Sequence, residues 1–147
     1  MSKKDVVYVN KKPTEIQILR KGDIVICMAN GSSSLVGKNS YYSFDDRQST
    51  IGAFCGIYRS SQPLVKWLMQ SQRYRRLVYQ SLQGGNGAIA NLNGDDILNM
   101  TFYVVEDKKS VSILSALVLI ENSIAVNEKL QELYSMQKEY LLQHLFI

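Results

Sequence analysis

Lys21-Gly-Asp-Ile-Val-Ile-Cys-Met-Ala-Asn-Gly-Ser32 sets a short apolar run between two turns. Gly22-Asp23 opens the run, Asn30-Gly31 closes it, and Ile24–Met28 between them is β-branched enough to predict a strand. Upstream, Val6–Val9 and, after the break at Pro13, Glu15–Leu19 have the same strand-like composition. Downstream, a polar stretch from Ser32 to Ser49 holds Tyr41, Tyr42 and Phe44 among Lys38, Asn39 and Arg47. Thr50–Tyr58 then resumes an apolar pattern, interrupted by Gly52 and Gly56.

Helical signals follow. Ser60-Ser61-Gln62-Pro63 offers hydroxyls for a cap and a proline for the first turn. Leu64, Trp67, Leu68, Ser71, Tyr74, Val78 and Leu82 fall on one face at helical spacing, and Gly84-Gly85 ends the pattern. Lys66 and Arg73 lie opposite that stripe and Arg76 to its side, whereas Arg75 projects onto it and needs a carboxylate or a route to solvent. Gly84–Gly94 reads as a loop, and Ile97–Val105 as an apolar stretch ending in strand-like Thr-Phe-Tyr-Val-Val.

Beyond Glu106-Asp-Lys-Lys109 there is no Pro or Gly to the end, which predicts one long helix from about Ser110. Ile113, Leu117, Ile120, Ile124, Asn127, Gln131, Tyr134, Lys138, Leu141 and Leu145 alternate in fours and threes, a heptad seam that is apolar at both ends and polar in the middle. A helix of this length reaches about 50 Å, more than a body of this size covers, so part of the seam needs another helix. The expected fold class is therefore α/β (α+β): mixed strands and short helices over residues 1–107, then a coiled-coil helix over 108–147.

The 147 residues carry a formal charge of +4, unevenly placed. Residues 1–109 hold fifteen Lys and Arg against nine Asp and Glu; residues 110–147 hold two against four. A basic body with a slightly acidic tail suggests a polyanion for the body and a different partner for the tail. Cys27 and Cys55 each sit in an apolar run without a CxxC or Cys-x-His neighbour, the pattern of reduced buried thiols rather than a zinc site. No uninterrupted run approaches the roughly 18 apolar residues of a membrane span, and the N-terminus lacks a signal-peptide pattern. A cytoplasmic protein without a membrane partner is expected.

Catalytic motifs fail on spacing or context. Gly31–Lys38 has five residues between its glycines and Asn39 after the lysine, where a phosphate-binding loop needs four and then Ser or Thr. Gly85-Asn-Gly87-Ala-Ile-Ala90 follows a helix instead of a strand, so it is no dinucleotide fingerprint. The one histidine, His144, lies near the end of a helix, and Asp45-Asp46 and Asp95-Asp96 read as turn formers. No catalytic residue, metal or cofactor is expected.

What survives is a basic loop system rich in Tyr and Asn. Asn30, Ser32, Ser33, Ser34, Asn39 and Asn86 carry short hydrogen-bonding groups suited to base edges or phosphates. Lys38, Arg47 and Arg59 add charge, and Tyr41 and Tyr42 can stack or donate to phosphate. Lys66, Arg73 and Arg76 on the basic helix face are candidate phosphate contacts.

In order and spacing, Lys21–Ser32 resembles the "GDIL" strand and Gly-Ser turn of target-recognition domains in type I restriction-modification specificity subunits. Gly84-Gly-Asn-Gly-Ala-Ile-Ala-Asn-Leu92 is similar to their late Gly-rich turn, with Asp96–Val105 as the strand behind it. The tail from Ile120 to Leu130 and then Lys138-Glu-Tyr-Leu-Leu-Gln-His-Leu-Phe146 is similar to their spacer helix. The resemblance implies a non-catalytic domain that reads one half of a split double-stranded DNA target, and the polar loops Asn30–Arg47 and Gly84–Asn91 are the expected reading surface. It also implies a spacer helix that pairs in a coiled coil, on which methylation and restriction subunits dock.

Leu117, Ile120, Ile124, Asn127, Tyr134 and Leu141 would line the helix pairing, in a homodimer if the chain supplies its own second helix. The chain departs from the pattern in carrying one recognition domain and one spacer, without the usual first segment before Val6. A half-subunit and an inactive remnant of a truncated specificity gene are both compatible with that. Two other readings stay open: an interaction module that never touches DNA, and a nucleotide-binding protein using Gly31–Lys38.

Overall fold

The computed structural model describes residues 7–83, 90–104 and 108–145. The chain divides into two compact units, Met1–Phe102 and Tyr103–Ile147. The first is an α/β body of small sheets and short helices; the second is dominated by a long helix.

Strand β1 (Ile24–Cys27) is the centre of the body. It pairs antiparallel with β3 (Asn39–Tyr41) on one side and β4 (Cys55–Tyr58) on the other. Between β1 and β3 the chain makes a two-residue strand β2 (Ala29–Asn30), which pairs antiparallel with β5 (Ala90–Asn91). Alternation in β1 sends Ile24 and Ile26 into the core with Val36, Met69, Tyr74, Val78, Leu92 and Ile97. The Gly22-Asp23 turn before β1 has a structural chemistry of its own. Gly22 adopts φ +100°, and buried Asp23 caps the turn by accepting from Arg20 N at 2.8 Å. Arg59 then neutralises it in a forked contact, Nε to Oδ1 at 2.9 Å and Nη2 to Oδ2 at 3.1 Å.

The expected strand at Val6–Val9 does not form over its described residues, and Val7, Tyr8 and Val9 are exposed. Glu15–Leu19 is a turn instead of a strand: Gln17 N donates to Thr14 O, and Gln17 Oε1 accepts from Thr14 N and Oγ1. Strand composition without a neighbouring edge yields no ladder. The strand expected within Thr50–Tyr58 is confined to its last four residues, β4.

The helix expected from Pro63 to Leu82 is two helices, α1 (Val65–Leu68) and α2 (Gln72–Gln83). Ser71 divides them. Its Oγ donates to Leu68 O at 2.6 Å and accepts from Tyr74 N at 3.2 Å, so it ends one helix and caps the next. The apolar stretch from Ile97 also departs from expectation, because its first part belongs to helix α3 (Gly94–Leu98) and Thr101–Val104 forms no strand. Asn93 and Asp96 form a capping box, each side chain accepting from the other's backbone N–H at 2.8 Å. Of the acidic pairs expected as turn formers, Asp95 and Asp96 lie instead in the first turn of α3, while Asp46 accepts from Tyr42 Oη, Gln48 N and Ser49 Oγ.

In the second unit α4 runs from Lys108 to Leu145. Along it Ile113, Ile120, Ile124, Tyr134, Leu141 and Leu145 are exposed. A second row lies one position earlier: Leu119, Val126, Leu130, Leu133 and Tyr140, all exposed. Val126, Leu130 and Leu133 flank the polar middle of the heptad seam, so the apolar band is continuous and broader than one seam. Within Val111–Leu145 an 18-residue window reaches a mean hydropathy of 1.4, long and apolar enough to cross a membrane by length and composition. The expectation from uninterrupted runs missed this, because Glu121, Asn122 and Asn127 break the run without lowering the mean far.

Candidate nucleic-acid interface

The turn Ser32–Lys38 and helix α2 face each other across an open groove of about 510 Å³ within the body. Ser33, Ser34 and Lys38 stand on the turn side; Gln70, Arg75 and Tyr79 stand on the helix side, over a floor that includes Val36, Met69, Val78 and Leu82. Two cationic side chains, three hydroxyls and the Gln70 amide thus open onto one concavity, a composition suited to an anionic, hydrogen-bonding ligand.

The walls are clamped together. Tyr74, buried in α2, donates its phenol to Gly37 O at 2.7 Å. Burial pushes that phenol above its ordinary pKa, partly offset by a hydrogen bond with Asn39, so it stays a donor through neutral pH. Asn39 Nδ2 donates to Met69 O at 2.8 Å. Gly37 adopts φ +78° and seats directly against Val78. The turn is also tied to β1, with Gly37 N donating to Cys27 O and Cys27 N to Lys38 O. After Lys38 the chain enters β3, not a helix, so the arrangement at Gly31–Lys38 is not that of a phosphate-binding loop.

Of the residues expected to contact DNA, the groove gathers Ser33, Ser34, Lys38 and Asn39, the last with its amide donor already used in the clamp. Ser32 is beside them, its Oγ 2.8 Å from that of Ser34. Asn30 begins the turn, with Oδ1 accepting from Ser32 N at 2.9 Å. Tyr41 is half-buried in β3, and Lys66 Nζ sits 4.6 Å from its ring centroid. Arg47 is exposed at φ +50° and does not line the groove; nor do Arg73 and Arg76, both exposed on α2. Asn86 lies outside the described residues, as does most of the Gly84–Asn91 loop.

Three side chains with expected ligand contacts are engaged elsewhere. Arg59 holds Asp23 and donates from Nη2 to Ile18 O at 2.6 Å, Tyr42 is buried with its hydroxyl on Asp46, and Asn39 is part of the clamp. Sequence reasoning missed Gln70, Arg75 and Tyr79 as groove residues. The signal was present for Arg75, whose projection onto the apolar side of α2 required an exit; the groove is that exit, and among the described residues no carboxylate pairs with it.

The fold and groove define a small α/β body followed by a long helix, with a basic concavity on the body and no metal-binding cluster among the described residues. Over 113 residues, 74% of this chain, the sequence is 27% identical to the type I restriction enzyme EcoKI specificity subunit of Escherichia coli (strain K12). The chain spans 24% of the length of that curated relative. No family model matches the chain.

Proposed function

We propose that this chain is a DNA-recognition module of a type I restriction-modification specificity subunit, itself without catalysis. The observation that carries the reading is the clamped groove of Ser33, Ser34 and Lys38 opposite Arg75, in a chain similar to a specificity subunit over most of its length. In this reading the body, residues 1–107, binds duplex DNA and reads one half of a split target. Lys38 at the groove and the exposed Arg47, Arg73 and Arg76 outside it hold phosphates, while groups in the groove meet base edges.

The helix, residues 108–147, pairs with a second helix through Leu117, Ile120, Ile124, Asn127, Tyr134 and Leu141, in a homodimer of this chain in the cytoplasm. Its broad apolar band, including Val126, Leu130 and Leu133, supports a protein partner, and methylation and restriction subunits dock on that assembly. Mass measurement of the full chain with and without a type I methylation subunit, with and without duplex DNA, tests this. A dimer that takes up both supports the reading; a monomer that ignores both supports an inactive remnant.

A further inference from the structure

The polar side chains around the groove are not equivalent once their existing bonds are counted. Asn39 has its amide donor on Met69 O, Asn30 has its carbonyl oxygen on Ser32 N, and Arg59 is forked onto Asp23. Ser32 and Ser34 share a hydrogen bond. Ser33, Lys38, Gln70, Arg75 and Tyr79 remain, lining the groove without a side-chain bond among the described residues, and of these Gln70 and Arg75 stand apart.

These two have the planar, two-pronged ends that match base edges. An arginine fork fits the O6 and N7 acceptors of guanine in the major groove, and a glutamine amide fits N6 and N7 of adenine. Lys38 and Ser33 across the groove carry the opposite chemistry, a point charge and a hydroxyl, which hold phosphates without sequence information.

Readout of a base also requires that the reader be held in place, to within about half an ångström. At Arg75 it is the helix backbone beside the groove that is anchored; the guanidinium itself is exposed. The neighbouring Tyr74 is buried and bonded to Gly37 O, and Val78, one turn on, packs against Gly37 itself. Arg73 and Arg76 are exposed as Arg75 is, but they do not line the groove.

We infer that Arg75 is a specificity-determining residue that reads a guanine in duplex DNA, with Lys38 as the phosphate anchor opposite. The inference rests on the DNA-recognition reading above, and its test separates the two. The full chain and its Arg75→Ala, Arg75→Lys and Arg73→Ala variants are each incubated with a pool of duplexes carrying a randomised segment. Bound duplexes are sequenced, and affinities for the selected and an unrelated duplex are titrated.

Wild type should enrich a guanine-containing motif, and Arg73→Ala, which removes a phosphate contact, should enrich the same motif while losing affinity equally for the selected and the unrelated duplex. Arg75→Ala should lose discrimination at one guanine by about five- to a hundredfold while binding the unrelated duplex nearly as before. Arg75→Lys, which keeps the charge but not the fork, should lose the same discrimination and keep the salt dependence of wild type. An unchanged motif in Arg75→Ala overturns the inference. So does an equal loss of affinity for selected and unrelated duplexes, since that marks a phosphate contact. Failure of the wild-type chain to bind any duplex overturns the DNA reading itself, and the role of Arg75 with it.

Discussion

Gly37 and Val78 are packed so closely that a Cβ at position 37 would lie 2.6 Å from Val78 Cγ1 and 2.8 Å from Cγ2. The contact joins the Ser32–Lys38 turn to α2 and sets the width of the groove between them. Two penalties meet in Gly37→Ala, a left-handed backbone at φ +78° and a clash with a stiff β-branched side chain. The variant should lose about 2–4 kcal/mol in urea unfolding. The double variant Gly37→Ala/Val78→Ala should be less destabilised than the sum of the two single changes, because the clash is removed. Strict additivity would mean that the contact does not set the packing.

Arg59 and Asp23 are unequal partners. Asp23 is buried, whereas the Arg59 side chain is 35% exposed and also holds Ile18 O. Arg59→Ala leaves a buried carboxylate with only Arg20 N to bond, and should cost about 3 kcal/mol by chemical denaturation. Asp23→Ala should cost less, since the guanidinium can turn to water. The reverse order would contradict the assignment of Asp23 as the buried half of the pair.

Cys27 and Cys55 are directly opposed across β1 and β4. Burial, with a smaller contribution from neighbouring Cys27, raises the Cys55 thiol above its ordinary pKa. The folded state therefore holds that proton more tightly than the unfolded state. Its contribution to stability is present below the unfolded thiol pKa and is lost as pH rises through the folded value. Iodoacetamide should alkylate Cys55, followed by mass spectrometry in a Cys27→Ser background, more slowly at pH 8 than a cysteine-containing peptide. A rate equal to that of the peptide would contradict the shielding.

On α4 the exposed apolar band should drive self-association. Sedimentation velocity of the full chain at micromolar concentration should give a dimer, and Ile124→Glu/Leu141→Glu should give a monomer with unchanged helix content. A wild-type monomer over the same range would remove the homodimer from the account.

Much of the fold was legible where local chemistry decides it. The Gly22-Asp23 turn and β1 follow from adjacent residues, as does α4 from an unbroken run of helix formers with heptad spacing. Errors arose where a partner distant in sequence decides. Val7–Val9 and Glu15–Leu19 have strand-forming residues but no ladder, and sequence alone does not reveal a missing edge. The split at Ser71 and the helix at Gly94 were encoded in hydrogen-bonding side chains, Ser71 and the Asn93–Asp96 pair, that the apolar periodicity outweighed.

The groove was half legible. Ser33, Ser34 and Lys38 stand out as polar residues in a loop, but Gln70, Arg75 and Tyr79 lie more than thirty positions downstream and join them through the Tyr74–Gly37 and Asn39–Met69 bonds and the packing of Gly37 on Val78. Conversely, Arg59 and Tyr42 had the composition of ligand contacts and turned out to hold the body together.

The most direct test is the salt dependence of duplex binding by the full chain, alone and with a type I methylation subunit, compared with Lys38→Ala/Arg47→Ala. The account predicts that affinity falls linearly in a plot of log K against log salt, and that removing the two cations makes the slope shallower by about two. Duplex binding that ignores both salt and the substitutions, or no duplex binding in either setting, would contradict it.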